Sequence, residues 1–289
     1  MAQNPIQWFP GHMAKTKRVI KECLSQVDVV IELLDARIPY SSKNPDIDFL
    51  VGQKPKITVM TKCGLANREA NKIWIKHFES KGNPAVLIDS MSGAGFDRLS
   101  AAVNDVLAEK LERYRAKGME NRRIKAMIVG IPNVGKSSLI NRLAGGKKAK
   151  VENRPGVTLA KQWVPTEIGL DLLDTPGILW PKFEDERVGI NLAATGAIKD
   201  AILDTEEVAM LLSKLLLDRA EEEFLTRYKL TKEETEGLDC YDLFRLVGKK
   251  RGFLISGGEI DHKRTAEMLL EEFRSAKIGQ ITLELPEDC

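Results

Sequence analysis

The chain has 289 residues, of which 43% are apolar, 30% charged and 6% aromatic, the composition of a globular protein long enough for two cores. No apolar run approaches the length of a membrane span, and the N-terminus lacks the pattern of a signal or transit peptide, so a cytoplasmic location is expected. The net charge of +2 conceals an asymmetry: residues 1–182 carry 29 Lys/Arg against 18 Asp/Glu, and residues 183–289 carry 15 against 24. A basic part followed by an acidic part argues for two domains, with the basic one better suited to a polyanion. Cys23, Cys63, Cys240 and Cys289 form no Cys-x-x-Cys pair and read as reduced thiols.

In chain order, residues 13–26 read as a short amphipathic helix. Val27 to Leu34 is a nearly continuous apolar run, the pattern of a strand buried on both faces of a parallel sheet. Further strands are predicted at Lys56–Met60, Ala85–Ile88 and Ile124–Val129. Helices are predicted from about Arg68 to Lys81, from after Gly93 to about Arg115, and over Ser137–Ala144. Gln162–Thr166 and Asp171–Leu173 suggest a hairpin across Ile168-Gly169. Beyond about Phe183 the strand pattern stops; Val208–Phe224 and Lys263–Ala276 are strongly helical. The expected fold class is α/β, a mostly parallel sheet with helices on both faces over residues 1–182, followed by a small all-α domain over 183–289.

Gly130-Ile131-Pro132-Asn133-Val134-Gly135-Lys136-Ser137 is a complete phosphate-loop pattern between a predicted strand and a predicted helix. Its backbone N–H groups, from Asn133 through Ser138, are suited to curl around phosphates, with Lys136 reaching the β- and γ-phosphates and Ser137 ligating Mg²⁺. Asp174, at the end of a predicted strand 38 residues after Lys136, suits a second Mg²⁺ contact, and Gly177 can offer its N–H to the γ-phosphate. Thr158, in Pro155-Gly156-Val157-Thr158, stands where a switch threonine closes over Mg²⁺ and phosphate. Asn133 could contribute an amide oxygen to a monovalent cation bridging the phosphates, or simply cap the loop. Together these motifs point to Mg²⁺-dependent nucleoside triphosphate hydrolysis.

Thr61-Lys62-Cys63-Gly64 is the candidate base-reading sequence, and it lies about 70 residues before the phosphate loop rather than after it. Lys62 can lay its stem over the base, and Ser90-Met91-Ser92 can offer backbone N–H groups to the base oxygen. The motif order is base, phosphate, switch, which is a circularly permuted GTPase domain. Gly64 replaces the aspartate that normally accepts two hydrogen bonds from guanine, so base selectivity is expected to be weakened and Gly64→Asp to strengthen it. Ile178 follows the switch glycine and cannot orient water, so His12 is the candidate for that task.

The chain resembles the circularly permuted GTPases of the ribosome biogenesis GTPase A (YlqF) type. The resemblance is carried by Trp8-Phe9-Pro10-Gly11-His12-Met13, Asp35-Ala36-Arg37-Ile38-Pro39, the phosphate loop, Arg154-Pro155-Gly156-Val157-Thr158, and Leu173 through Lys182 with its Asp174-Thr175-Pro176-Gly177 core. It implies GTP hydrolysis coupled to late assembly of the large (50S) ribosomal subunit, stimulated by the particle and by potassium, with release after hydrolysis. It also implies rRNA and ribosomal-protein contacts through the helical domain and a catalytic role for the N-terminal histidine. Lys15, Lys17, Arg18, Arg122, Arg123, Lys147, Lys148, Lys150 and Lys249-Lys250-Arg251 are the candidate RNA contacts. A monomer with no membrane contact is expected. The alternatives are a permuted nucleotide switch on another RNA particle and a non-hydrolysing scaffold.

Overall fold

The computed structural model describes residues 13–119, 122–145, 163–180, 183 and 185–289. Six strands form one sheet: β1 (Val29–Asp35), β2 (Lys56–Thr61), β3 (Ala85–Ile88), β4 (Ile124–Gly130), β5 (Trp163–Pro165) and β6 (Leu170–Asp174). Their spatial order is β3-β2-β1-β4-β6-β5, all parallel except β5, which pairs antiparallel with β6 at the edge. Every residue of β1 is buried, which explains its nearly continuous apolar run, interrupted only by the buried Glu32 before Asp35 ends the strand. Because side chains alternate across a strand, Val29, Ile31 and Leu33 enter one hydrophobic cluster while Val30 and Leu34 face the other side.

One face of the sheet is covered by α1 (Met13–Leu24), α2 (Pro45–Val51) and α3 (Arg68–Ser80), through Ile20, Cys23, Ile47, Val51, Trp74 and Phe78. The other is covered by α4 (Phe96–Val106) and α6 (Lys136–Leu143), through Leu99, Val103, Leu139 and Ile140. The helix expected to run to Arg115 is interrupted at Leu107, and α5 (Ala108–Ala116) follows. Leu107 is held in the core at φ −105°, ψ 10°, outside helical geometry.

After residue 185 the described chain is helical: α7 (Glu186–Ala194), α8 (Thr205–Arg219), α9 (Glu221–Tyr228), α10 (Lys232–Thr235), α11 (Cys240–Lys250) and α12 (His262–Arg274). The single helix expected over Val208–Phe224 is two helices. Ala220, buried at φ −148°, ψ 54°, breaks the ladder, and Glu221, Glu222 and Glu223 then stand in the first turn of α9, where acidic side chains complement the helix dipole. Leu192, Leu212, Phe224, Leu269 and Leu283 belong to the same apolar cluster as Ile31 and Leu139, so the helices are packed into the sheet's own core.

Residues beyond α12 return to the sheet. Ile281 N–H donates to Leu65 O at 3.3 Å, Leu283 N–H to Arg37 O at 2.8 Å, and Trp74 Nε1–H to Glu284 O at 3.0 Å. The return anchors the loops at the C-terminal ends of β1 and β2. All four cysteines are free thiols, and among the described residues no helix is long and apolar enough to cross a membrane.

Candidate nucleotide site

The site residues gather at the C-terminal edge of the parallel strands, where the strand ends leave a crevice in sheets of this kind. β4 runs into the phosphate loop, in which Asn133 (φ 56°) and Gly135 (φ 104°) take left-handed conformations that turn successive N–H groups toward one side. Val134 is buried and pins the loop to the core, Ser137 is half-buried in the first turn of α6, and Ser138 is exposed beside it.

Lys136 is buried, and its Nζ donates to the loop's own carbonyls, Gly130 O at 3.1 Å and Ile131 O at 2.8 Å. Burial pushes its pKa down to about 8, with the nearby Asp174 charge opposing the fall. Asp174 ends β6; burial pushes its carboxyl up, and its Oδ1 is buried without a hydrogen-bond partner. An orphaned carboxylate oxygen next to a phosphate loop suits a hydrated Mg²⁺, a hard cation that takes oxygen ligands and keeps several waters.

The switch segment is fastened to the loop. Thr175 Oγ1 donates to Ile128 O at 2.6 Å and Ile178 N–H to Gly130 O at 3.1 Å. A Cβ at Gly177 would lie 2.7 Å from Pro132 N and 3.1 Å from Lys136 Nζ, so glycine alone fits this approach. The Ile178 side chain is buried among Ile20, Cys23 and Leu173 and anchors the segment to α1.

The end of β2, the candidate base-reading segment, meets the same loop. The Thr61 hydroxyl lies 2.5 Å from Val134 O and 3.0 Å from Leu34 O, and its single proton serves the nearer carbonyl. Lys62 (φ 56°) reaches Asp35 Oδ2 at 3.0 Å, and Asp35 is itself paired with Arg37 at 2.7 Å in full burial. Burial works against the Asp35 charge, but the Arg37 and Lys62 charges outweigh it and hold the carboxyl far below its ordinary range. Asp35, held in turn by Arg37, thus fixes the position of the Lys62 ammonium group.

Ser90 is half-buried and Met91 is exposed. The Met91 N–H, expected to meet the base oxygen, instead donates to Asp89 Oδ1 at 2.9 Å. Asn133 donates from Nδ2 to Gly196 O at 2.8 Å, which ties the phosphate loop to the turn after α7 and leaves its amide oxygen facing away from that contact. The structure thus brings together Thr61, Lys62, Asn133, Val134, Gly135, Lys136, Ser137, Asp174 and Gly177. His12 and Thr158 lie outside the described residues.

Several of the basic residues are engaged within the protein. Arg251 bonds Glu272 at 3.1 Å and stacks on Tyr228, Lys250 pairs with Glu234 at 2.8 Å, Arg123 pairs with Asp171, and Arg122 lies over the Tyr114 ring. Lys249 is exposed.

A phosphate loop, a strand-end aspartate and a switch glycine on a parallel sheet define a nucleotide-hydrolase fold of the phosphate-loop GTPase class. A family profile described as 50S ribosome-binding GTPase matches residues 125–236. Ribosome biogenesis GTPase A of Bacillus licheniformis is 48% identical over 283 residues, covering 98% of this chain and 99% of that protein. The Thermotoga maritima protein of the same name is 30% identical over 98% of this chain and 95% of its own length. A GNP-bound YlqF structure from T. maritima is 27% identical with a TM-score of 0.64, covering 95% of this chain and all of that one. A GDP-bound YlqF structure gives a TM-score of 0.67 at 25% identity, covering 94% and 100%. The chain belongs to the ribosome biogenesis GTPase A family.

Proposed function

We propose that this chain is a GTPase of ribosome biogenesis that acts on a precursor of the large (50S) ribosomal subunit and leaves it after hydrolysis. The observation that supports this most strongly is the convergence of Lys136, the unpartnered oxygen of Asp174 and the sterically required Gly177 at one sheet edge, in a chain of this family. In this reading the loop N–H groups and Lys136 hold the β- and γ-phosphates, while Ser137, Thr158 and Asp174 hold Mg²⁺. The bound Mg²⁺ would neutralise charge developing on the phosphate oxygens. Gly177 N–H then reads the γ-phosphate, His12 orients the attacking water, and the free amide oxygen of Asn133 faces a potassium ion.

The motif order supports a circularly permuted GTPase domain over residues 1–182, with residues 183–289 as the helical part that grips rRNA. Two links join phosphate state to that part. The switch leads covalently into α7, and Asn133 bonds the turn that ends it. Loss of the γ-phosphate would therefore be felt where RNA is held. We further propose that the protein works as a cytoplasmic monomer.

Cosedimentation of the full chain with large-subunit precursors at graded salt tests this. Binding should be stronger with a non-hydrolysable GTP analogue than with GDP and should weaken steeply as salt rises. Equal binding in both nucleotide states, or none, would contradict it.

A further inference from the structure

Guanine presents two neighbouring donors, N1–H and the exocyclic amino group, and one carboxylate can accept from both. Gly64 supplies no such group, yet the structure holds a carboxylate against the position its Cβ would take. A Cβ built on Gly64 would lie 3.3 Å from Asp89 Oδ2 and 3.8 Å from Asp89 Cγ. The topology produces this proximity. β2 and β3 are parallel neighbours in the register Thr61↔Ile88, so the residue that follows β3 stands beside the turn that follows β2.

Both partners are fixed. The Gly64 turn is held from outside by Gln280 Nε2–H to Gly64 O at 2.8 Å and by Ile281 N–H to Leu65 O. The Asp89 carboxylate is held from its own loop by Met91 N–H at 2.9 Å on Oδ1 and by Ser92 Oγ–H at 2.8 Å on Oδ2. A carboxylate offers about four acceptor sites, so these two bonds and the further one from the Ser92 backbone N–H leave it capacity for a ligand. Burial pushes the acid up, but the Ser92 and Met91 hydrogen bonds outweigh it and keep it below the usual range, so it is charged at neutral pH. Together with burial, its charge pushes the Cys63 thiol up, as expected if Asp89 faces the base-reading turn.

We propose that Asp89 is the guanine-reading carboxylate of this chain, transferred from the end of β2 to the end of β3, with Gly64 leaving it room. This rests on the GTP reading above. On that footing base selectivity is retained in spite of Gly64. A lone Gly64→Asp, expected from the sequence to strengthen guanine binding, would instead set two carboxylates against each other.

The test is an affinity panel of GDP, XDP and ADP on the full-length chain in Mg²⁺. Asp89→Asn keeps an acceptor for N1–H but exchanges the second acceptor for a donor, which repels the guanine amino group and suits the 2-oxygen of xanthine. It should weaken GDP by about 10- to 100-fold and tighten XDP enough to invert the preference. Gly64→Asp alone should weaken GDP, and Gly64→Asp combined with Asp89→Asn should restore preference for GDP over XDP. A wild-type chain that prefers GDP, with Asp89→Asn keeping the wild-type GDP:XDP ratio, would overturn the assignment and leave the GTP reading intact. A wild-type chain that does not prefer GDP would overturn both.

Discussion

At position 177 a single methyl group decides whether the switch can touch the phosphate loop. The space there is set by Pro132 and by Lys136, whose ammonium group is held by the Gly130 and Ile131 carbonyls, so a side chain must push the switch away. Gly177→Ala is expected to lower single-turnover GTP hydrolysis by about 100-fold, the scale of losing one preorganised donor, while GDP affinity changes by only a few-fold. Rapid-quench kinetics beside GDP titration would separate the two effects; unchanged hydrolysis would remove Gly177 from the mechanism. Lys136, Asp174 and Gly177 were legible in the sequence because phosphate chemistry restricts residue type and spacing. Asp89 was not, since a spacing rule that looks for aspartate after Thr61-Lys62 cannot see a carboxylate arriving from the adjacent strand.

Elements were legible wherever a single physical signal dominated. The all-buried β1 and the strand–loop–helix unit around the phosphate loop follow from the local order of residues alone. The breaks at Leu107 and Ala220 did not show, because each is made by a buried residue held by tertiary packing. Among the C-terminal helices, α9, α11 and α12 are joined at Glu272, which accepts from Arg227 Nε at 3.0 Å, Tyr228 Oη at 3.1 Å and Arg251 Nη2 at 3.1 Å. Glu272→Ala would strand two guanidinium groups and should cost about 3 kcal/mol, read as a loss of urea stability at neutral pH. Burial raises the Glu272 acid, but the Arg227 bond and Arg251 charge outweigh it and hold it low. The contribution is therefore present above its unfolded value of 4.5 and lost as pH falls through the lower folded value. A variant as stable as wild type at pH 7 would show that this junction is dispensable. The same engagement makes Lys249, rather than Arg251, the better candidate of its cluster for the proposed RNA contact.

Over the whole molecule, the C-terminal return joins the helical part to the loops that follow β1 and β2. No local sequence signal marks these contacts, because they pair residues more than 200 positions apart. Glu284 is buried between the two parts and accepts from Ser41 N–H at 2.7 Å, Ser41 Oγ–H at 2.6 Å and Asn191 Nδ2 at 2.9 Å. Burial outweighs these donors and pushes the acid up to about 7. Between pH 4.5 and about 7 the folded state holds a proton that the unfolded state releases, so stability falls as pH rises through that window. Relative to Glu284→Gln, the wild-type chain should lose stability by up to roughly 1.4 kcal/mol per pH unit across it. Parallel thermal melts from pH 5 to 8 would check this, and a constant difference between the two proteins would refute it.

The most direct test of a particle-stimulated GTPase is the rate of nucleotide hydrolysis in Mg²⁺ and K⁺ with purified large-subunit precursors added. GTP, and not ATP, is expected to be turned over, with the particles accelerating it and Lys136→Ala abolishing it. Equal hydrolysis of ATP, or GTP turnover indifferent to the particles, would contradict that expectation.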